Sequence, residues 1–453
     1  MKKIIVAFLA LLMIVSVFAG CGKDPGTSSE EQGVVDLEKY PSGYPFVEGK
    51  YTGKTLTIWV SARPEKGREN DIYAEFERAT GATVNDPGQS GSNAKFVSAV
   101  TAGTGPDISA CDQNLFISGV LKGIILPVSD VLDLSEEIYQ KKLDRSKVDF
   151  FSLNGVPYLF NALGIGNSCF YIVYNKSAFE AAGLEDPYEL YLKGEWDFDA
   201  FNEACAALTY DSDDDGIIDK VAFTGYVDGQ WPGCAENGNT VRWKDGRPYF
   251  AMTDSDMLEV YEEYSYIKKM GYFTLGDLPG TDYVLGKSAM LGCIGGWYSE
   301  WLCDNLDDEA AIQNIGYVPM PYAPSNTSKV VKSMGYASGY FFPSSLRDEN
   351  KELAEEWIKY KMFWERADED YEAQRQKIIN NNYGGREDWY NFEQELCKNM
   401  FFNNTEMFGN LSNILSELIY GGEDSWSNMV QSVAPAAQAE IDAVFDDTSV
   451  TER

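Results

Sequence analysis

The sequence predicts an α/β protein built from two α/β lobes. Segments with the two-residue period of strands alternate with segments of helical period along most of the chain. The chain has 453 residues, and a chain of this length usually divides into more than one domain, each with its own hydrophobic core. Its hydrophobic content is 44%, with 10 Trp, 28 Tyr and 24 Phe, which is typical of an ordered globular protein. Interleaved strands and helices over this length favour two lobes over one large sheet.

The elements of the first part of the chain follow from this periodicity. Residues 55–60 alternate as a half-buried strand, and residues 71–79 have helical spacing that ends at Gly81. Residues 96–102 form a predicted helix, residues 106–110 a short strand, and residues 113–122 a helix that ends at Gly123.

The same alternation continues further along. A hairpin is predicted around Asn154-Gly155, and residues 170–174 form a strongly β-prone run. Residues 196–208 and 351–364 are predicted amphipathic helices. The helical Trp357 and Trp364 are expected to be core residues.

Charge and composition exclude several classes of function. The chain has 71 acidic and 37 basic residues, a formal net charge of -34, and no histidine. Histidine-dependent catalytic pairs, histidine zinc sites and histidine proton switches are therefore excluded. A chain this acidic repels phosphate backbones, so nucleic acid is not an expected partner. The high charge keeps the protein in solution and says little about its fold.

The N-terminus reads as a secretory signal. Lys2 and Lys3 precede an apolar run, and residues 1–20 form a predicted signal peptide. Ala19-Gly20-Cys21 resembles the bacterial lipobox, which implies that Cys21 is diacylated and anchors the mature protein to the membrane. The alternative is an ordinary cleaved signal with a nearby cysteine. Residues 21–50 are rich in Gly, Ser, Thr, Pro and Glu, and we expect them to form a flexible tether.

The other cysteines do not form a recognisable framework. They are scattered, odd in number and contain no C-x-x-C pair, so small buried side chains are expected rather than disulfides or a thiolate metal site. A bridge between Cys293 and Cys303 stays open. The seven are Cys111, Cys169, Cys205, Cys234, Cys293, Cys303 and Cys397.

Seven short motifs occur in a recognisable order. They resemble the family 1 extracellular solute-binding proteins, the maltose-binding-protein type of sugar receptor for ABC importers, over roughly residues 52–365. The motifs are TLTIW at 55–59, GPDI at 105–108, NGVPY at 154–158, YIVYNK at 171–176 with AAGL at 181–184, WDFDAF at 196–201, GKSAM at 286–290 with GGW at 295–297, and KELAEEW at 351–357.

This resemblance implies a periplasmic-binding-protein fold. Two α/β lobes are joined by a hinge, and the ligand binds in the cleft between them and drives closure through its greater affinity for the closed state. Residues 51–165 and about 340–385 are assigned to the N-terminal lobe. Residues 166–335 and about 386–453 are assigned to the C-terminal lobe. Gly164, Gly166, Gly335 and Gly339 suit the crossings, although ordinary strand-end turns explain them equally well.

A sugar site needs aromatic platforms together with carboxylates and amides. By the family's landmarks, Trp297 after Gly295-Gly296 is the best stacking candidate, and Trp231 lies where a second-lobe loop reaches the cleft. Polar residues after a strand of an open α/β sheet mark the ligand edge, which selects Asp112, Gln113 and Asn114, with a helix cap as the alternative for Asp112. The further candidates are Trp59, Tyr298, Glu300 and Tyr336.

An acidic loop resembles the opening of an EF-hand calcium loop. Its predicted ligands are Asp211, Asp213, Asp215 and Asp219 together with the carbonyl of Ile217, and Gly216 permits the sharp turn. Ala222 stands where the bidentate Glu is expected. We therefore predict weak structural Ca²⁺, with a solvated acidic turn as the alternative.

The leading functional hypothesis is a lipid-anchored receptor, monomeric, on the outer face of the cell membrane. It captures a carbohydrate, an oligosaccharide by preference, for an ABC permease, and it uses no organic cofactor and catalyses no reaction. A surface glycoside hydrolase is the enzymatic alternative, because it needs only two carboxylates in a cleft. A carbohydrate-adhesion lipoprotein is the third reading.

Overall fold

The structure is a computed structural model that describes residues 42–60, 68–88, 93–110, 113–161, 168–225, 229–274, 279–306, 308–335, 337–365, 371–421 and 425–445. The predicted signal peptide, Cys21 and the first part of the predicted tether lie outside the described residues. The chain forms two compact units: unit 1 contains residues 1–109 and 345–374, and unit 2 contains residues 110–344 and 375–453.

The strands are β1 (Thr55–Trp59), β2 (Thr83–Asn85), β3 (Ile108–Ala110), β4 (Ile125–Leu126), β5 (Ser152–Leu153), β6 (Val156–Pro157), β7 (Phe170–Asn175), β8 (Val221–Gly225), β9 (Val241–Lys244), β10 (Arg247–Phe250), β11 (Phe273–Thr274), β12 (Ser288–Ile294), β13 (Ile315–Val318), β14 (Ser333–Gly335), β15 (Tyr340–Pro343) and β16 (Met400–Phe402).

The helices are α1 (Arg68–Thr80), α2 (Asn93–Thr101), α3 (Gln113–Leu121), α4 (Glu137–Lys142), α5 (Arg145–Phe150), α6 (Lys176–Ala181), α7 (Pro187–Lys193), α8 (Phe198–Ala207), α9 (Ser255–Lys269), α10 (Pro279–Val284), α11 (Trp297–Asn305), α12 (Glu309–Gln313), α13 (Asp348–Glu365), α14 (Tyr371–Asn382), α15 (Glu387–Leu396), α16 (Leu411–Gly421) and α17 (Trp426–Phe445). No helix of the described residues is long and apolar enough to cross a membrane.

Unit 1 is built on a parallel sheet. Strand β1 pairs in parallel with β2 and with β3, and its alternate residues Leu56 and Ile58 are buried, as the period of this segment predicts. Helix α13 packs on the sheet through Trp357, which stacks on Tyr73 of α1 at 5.1 Å between ring centroids. Trp357 is therefore a core residue, as predicted, whereas the side chain of Trp364 lies outside the described residues.

The end of the predicted tether is part of the folded unit. Tyr44 is buried, its hydroxyl donates to Glu356 at 3.0 Å, and its ring contacts Phe46 and Tyr360 at 4.7 and 5.4 Å. Ser42 Oγ donates to Glu75 at 2.6 Å. The assignment of residues 42–50 to a flexible tether is wrong, because two aromatic side chains pay for ordering this segment against α1 and α13.

Unit 2 contains a mixed five-stranded sheet with the order β11-β8-β12-β7-β13. Strands β11, β8 and β12 run parallel, whereas β7 pairs antiparallel with both β12 and β13. Both faces of the sheet are covered. Along β7, Ile172 and Tyr174 face one hydrophobic cluster, and Tyr171 and Val173 face another. The predicted α/β class is confirmed by this alternation of buried strands and covering helices.

The two compact units divide the chain differently from the predicted lobes. Residues 110–165 were assigned to the N-terminal lobe, but they group with unit 2. Phe150 of α5 illustrates why, because its ring contacts Phe402 of β16 at 5.1 Å between centroids. Since no hinge movement is observed, the lobe boundaries at 165, 335–340 and 385 stay a prediction.

The described cysteines are free thiols. Cys293 and Cys303 are both unbridged, so the open possibility of a disulfide between them is excluded in this structure. Cys169, Cys205, Cys234, Cys293 and Cys397 are buried, as expected, and Cys303 is half-buried. Cys111 lies outside the described residues.

One half-buried carboxyl gives the fold a pH dependence. Burial raises the pKa of Glu263 in α9 from 4.5 to about 7, and the Asp199 carboxylate adds to this, while a hydrogen bond with Asn202 opposes it. The folded state therefore holds this proton to higher pH than the unfolded chain, and stability falls as the pH rises from about 4.5 to about 7. Over this pH range we expect the free energy of unfolding of Glu263→Gln to fall by about 1 kcal/mol less than that of the wild type. This figure is discounted because solvent screens a half-buried carboxyl.

The measurement is the free energy of unfolding of both proteins at pH 5 and pH 8. The free energy of unfolding of the variant, minus that of the wild type, should be larger at pH 8 than at pH 5. An equal difference at the two pH values would show that Glu263 has an ordinary pKa.

Candidate functional site

Three parallel strands of unit 2 end at one edge of the sheet. Phe273 of β11 pairs with Phe223 of β8, and Met290 of β12 also pairs with Phe223. Ligands of open α/β sheets bind outside the carboxyl ends of such strands. We therefore take this edge, at the strand ends Gly225, Thr274 and Ile294, as the candidate site and call it the carboxyl edge.

Strands β8 and β12 approach each other closely where they reach this edge. Gly225 lies opposite Gly292, and a Cβ at position 225 would lie 2.3 Å from the carbonyl oxygen of Gly292. The φ of Gly225 is +141°, a conformation that other residues rarely adopt. Glycine at position 225 is thus needed for the two strands to reach the carboxyl edge together.

A second pair of glycines sets the direction of α11. A Cβ at Gly295 would lie 1.9 Å from the carboxylate of Glu393, and one at Gly296 would lie 2.3 Å from Ser168 Oγ. Gly296 has a φ of +64° and directly precedes Trp297, the first residue of α11. Both glycines are therefore needed where the backbone passes Glu393 and Ser168, and α11 begins with Trp297 at the carboxyl edge. The side chain of Trp297 lies outside the described residues.

Tyr298 and Glu300 belong to the first turn of α11 and are half-buried. The Tyr298 ring packs beside Trp301 at 5.6 Å between centroids. A Cβ at Gly280 would lie 2.7 Å from Tyr298 Oη, so α10 and α11 pack directly on each other. Tyr298 thus packs between α11 and α10.

The N-terminus of α3 carries two more predicted ligand residues. Gln113 is half-buried and donates through Nε2 to the carbonyl of Ala337 at 3.4 Å. Its buried Oε1 accepts no hydrogen bond from the described residues, which leaves an acceptor for a hydroxyl group. Asn114 is exposed. Asp112 and Tyr336, which were also predicted, lie outside the described residues.

Trp231 is a core residue in this structure, contrary to its predicted stacking role. Its side chain is 0% exposed and contacts Phe198, Phe201 and Tyr264, with ring centroids 6.1, 6.3 and 5.5 Å away. These partners lie on α8 and α9, which bury the indole on the hydrophobic side of the sheet. A fully buried ring offers no face to a ligand.

Trp59 is the predicted site residue of unit 1. It is half-buried at the end of β1, and its ring makes an edge contact with Phe96 at 6.2 Å between centroids. β1 and its parallel neighbour β3 end at the same edge of their sheet. Trp59 therefore lies at the carboxyl end of β1, and its role as a ligand residue stays a prediction.

Unit 2 also contains a cavity of about 480 Å³ that the sequence did not indicate. The exposed Trp243 and the half-buried Tyr249 supply aromatic faces, and Asn237 and Asn239 supply amides. Arg242, another lining residue, is held by Asp254 at 2.9 Å and Asp256 at 2.7 Å. The cavity lies between α3, α5 and the β9–β10 hairpin, and no predicted ligand residue whose side chain the structure describes lines it.

The predicted calcium loop is folded around its own carboxylates. One oxygen each of Asp211, Asp213 and Asp215 lies within 4.8 Å of the others. Asp211 accepts from the backbone N–H of Gly216 at 2.6 Å, which lowers the pKa of Asp211. Asp219 accepts from the backbone N–H of Ser212 at 2.8 Å. The calcium site itself stays a prediction.

We expect millimolar Ca²⁺ to raise the melting temperature of the wild type, because a ligand that binds only the folded state stabilises it, by about 1.4 kcal/mol at a tenfold excess over Kd. Asp213→Ala should abolish the rise, and Mg²⁺ should not reproduce it. A thermal-shift titration makes the measurement. Equal curves for the wild type and the variant would identify the loop as a solvated turn.

The sequence profile of the bacterial extracellular solute-binding proteins matches residues 62–360, about two thirds of the chain. The chain belongs to this family. No curated protein matches the sequence. The family assignment confirms the resemblance inferred from the order of the seven motifs.

Solved structures of solute-binding proteins share the fold. The sugar-binding protein MalE of Xanthomonas citri has a TM-score of 0.63 and 13% identity, covering 87% of this chain and 100% of that one. UgpB of Mycobacterium tuberculosis, in complex with glycerophosphocholine, has a TM-score of 0.59 and 15% identity, covering 86% of this chain and 99% of that one. An ABC substrate-binding protein of Listeria monocytogenes, in complex with cycloalternan, has a TM-score of 0.56 and 17% identity, covering 87% of this chain and 99% of that one. The periplasmic-binding-protein fold is thereby confirmed.

Proposed function

We propose that this solute-binding protein captures an oligosaccharide outside the cell and delivers it to the permease of an ABC importer. Family membership over residues 62–360 is the observation that carries the proposal. The structures that share the fold include proteins bound to lacto-N-biose, maltotriose and mannobiose. UgpB, with glycerophosphocholine, belongs to the same set, so the choice of a sugar depends on the site itself.

The carboxyl edge of unit 2 supplies suitable chemistry for a sugar. Trp297 and Tyr298 begin α11 at this edge, and aromatic rings stack on the apolar C–H faces of sugars. Glu300 adds a carboxylate, which accepts hydrogen bonds from hydroxyl groups. The action is binding and release, without a chemical step.

The proposal includes a membrane anchor at Cys21 and a weak Ca²⁺ at the loop of residues 211–219. The lipobox-like Ala19-Gly20-Cys21 supports the first, and the three converging carboxylates support the second. The mass of the N-terminal peptide of protein extracted from membranes measures the first directly, because a diacylglyceryl group on Cys21 adds a defined mass.

The test is calorimetric titration of the purified protein with a panel of oligosaccharides and with glycerophosphocholine, together with chromatography of each mixture after long incubation. We expect saturable binding of at least one oligosaccharide at one per chain, and recovery of the sugar unchanged. Binding of glycerophosphocholine alone would overturn the choice of a sugar. Cleavage of the oligosaccharide would identify a glycoside hydrolase instead. Binding without a cognate permease in the producing cell would favour an adhesion lipoprotein.

A further inference from the structure

A buried cluster of two thiols and a carboxylate lies in unit 2, beside Gly295 of the turn that precedes α11. One ligand atom each of Cys169, Glu393 and Cys397 lies within 4.8 Å of the others. Cys169 and Glu393 are 0% exposed, and Cys397 is 8% exposed. Cys169 precedes β7, Glu393 belongs to α15, and Cys397 follows α15, so the fold brings together residues more than 220 positions apart.

The orientation of the Glu393 carboxylate is fixed by its neighbours. Tyr383 Oη donates to it at 2.7 Å, Tyr171 Oη at 3.1 Å and the backbone N–H of Cys169 at 3.2 Å. Trp389 Nε1 donates in turn to Tyr171 Oη at 2.8 Å. Hydrogen bonds that orient a ligating carboxylate from behind are typical of the outer shell of metal sites.

A fourth polar atom is aimed at the same place. Ser333 is 4% exposed, and its Oγ lies beside the thiol of Cys169. This oxygen makes no hydrogen bond of normal geometry with the described residues. A buried hydroxyl that has only a thiol beside it, and no hydrogen bond of normal geometry, costs free energy, and a cation shared by the four groups would remove that cost.

The charges of the cluster favour a cation. Glu393 is completely buried, and among the described residues no lysine or arginine forms an ion pair with it. Two thiolates and one carboxylate bind a borderline-soft divalent cation well, in the tetrahedral arrangement that Zn²⁺ prefers. On binding, the thiols lose their protons to solvent and the sulfur atoms become the ligands.

We propose that Cys169, Glu393 and Cys397 form a structural site for Zn²⁺ or a similar thiophilic divalent cation, with Ser333 Oγ at the fourth position. The site ties the end of α15 to the start of β7 and to β14. It stabilises unit 2, including the Gly295-Gly296 turn that packs against Glu393.

The absence of histidine from the chain makes the test clean, because a thiophilic cation then has only cysteines and carboxylates to bind. The full-length protein is unfolded with a chelator and a phosphine reductant, then refolded with Co²⁺ or with Cd²⁺. We expect one cation per chain, with the visible spectrum of tetrahedral Co²⁺ and the ultraviolet charge-transfer band of cadmium thiolate. Refolded wild type without these bands overturns the proposal, and this arm requires no variant.

Matched variants locate the site. Cys397→Ala should lose the cadmium band and the rise in melting temperature that Zn²⁺ gives to the wild type. Cys205→Ala removes another buried thiol, on α8, and should keep both. Equal cadmium bands in the two variants would show that the cation binds at another site. Recovery of Cys169 and Cys397 as a disulfide in the untreated protein would likewise overturn the metal site.

Discussion

Replacing Trp297 by alanine is expected to weaken binding of the oligosaccharide at least tenfold, about 1.4 kcal/mol or more, while the melting temperature stays near that of the wild type. The residue begins α11 directly after Gly296, at the carboxyl edge where β8, β11 and β12 end. Loss of the ring would remove the stacking platform that we propose for the sugar. Calorimetry with the sugar selected from the panel measures the change in Kd.

Trp243 supplies the matched control. It is 46% exposed on the β9–β10 hairpin, so Trp243→Ala removes the same side chain at little cost to the fold. Affinity should not change in this variant. The reverse pattern, with Trp243→Ala weakening binding and Trp297→Ala without effect, would place the sugar in the 480 Å³ cavity that Trp243 lines.

Replacing Gly225 by alanine is expected to cost about 4 kcal/mol of stability. The new Cβ would lie 2.3 Å from the carbonyl oxygen and 2.8 Å from the nitrogen of Gly292, both backbone atoms of a central strand that cannot swing away. Overpacking costs about 1–3 kcal/mol, and a φ of +141° adds about 1–3 kcal/mol of strain. The melting temperature should fall by roughly 4–6 °C, because a unit of this size has a large entropy of unfolding.

Gly286 separates the two causes. It also has a positive φ, +66°, but nothing lies within 4 Å of a Cβ built there. Gly286→Ala should therefore cost only the backbone strain, about 1 kcal/mol. If calorimetric melting gave the two variants equal losses, the contact between β8 and β12 would not be the tight point described above.

The elements of the fold were predictable because their periods are local. The predicted strand 55–60 is β1, and the predicted helix 351–364 is α13, each within a few residues. The packing of residues 42–50 was not predictable, since it depends on Tyr44 meeting Glu356, 312 positions away. Composition alone could not show that partner.

The candidate site was predictable only in part, for the same reason. Gly295-Gly296-Trp297 is a contiguous signal, and its position at the carboxyl edge follows from strand order. Trp231 carries the same kind of signal, but α8 and α9 bury its ring. The cluster of Cys169, Glu393 and Cys397 has no motif spacing, because strand β7 and helix α15 meet only in the folded chain.

The free cysteines give this protein built-in reporters of local opening. Burial raises the pKa of the Cys293 and Cys205 thiols well above the usual range, so a thiol reagent reaches them only when the surrounding structure opens. Cys293 lies in β12, which leads to Trp297, and Cys205 lies in α8. The rate at which each thiol is labelled thus measures the opening free energy of its own element. If a bound solute slows the labelling of one thiol more than that of the other, the element that contains the slowed thiol is the one that the solute stabilises.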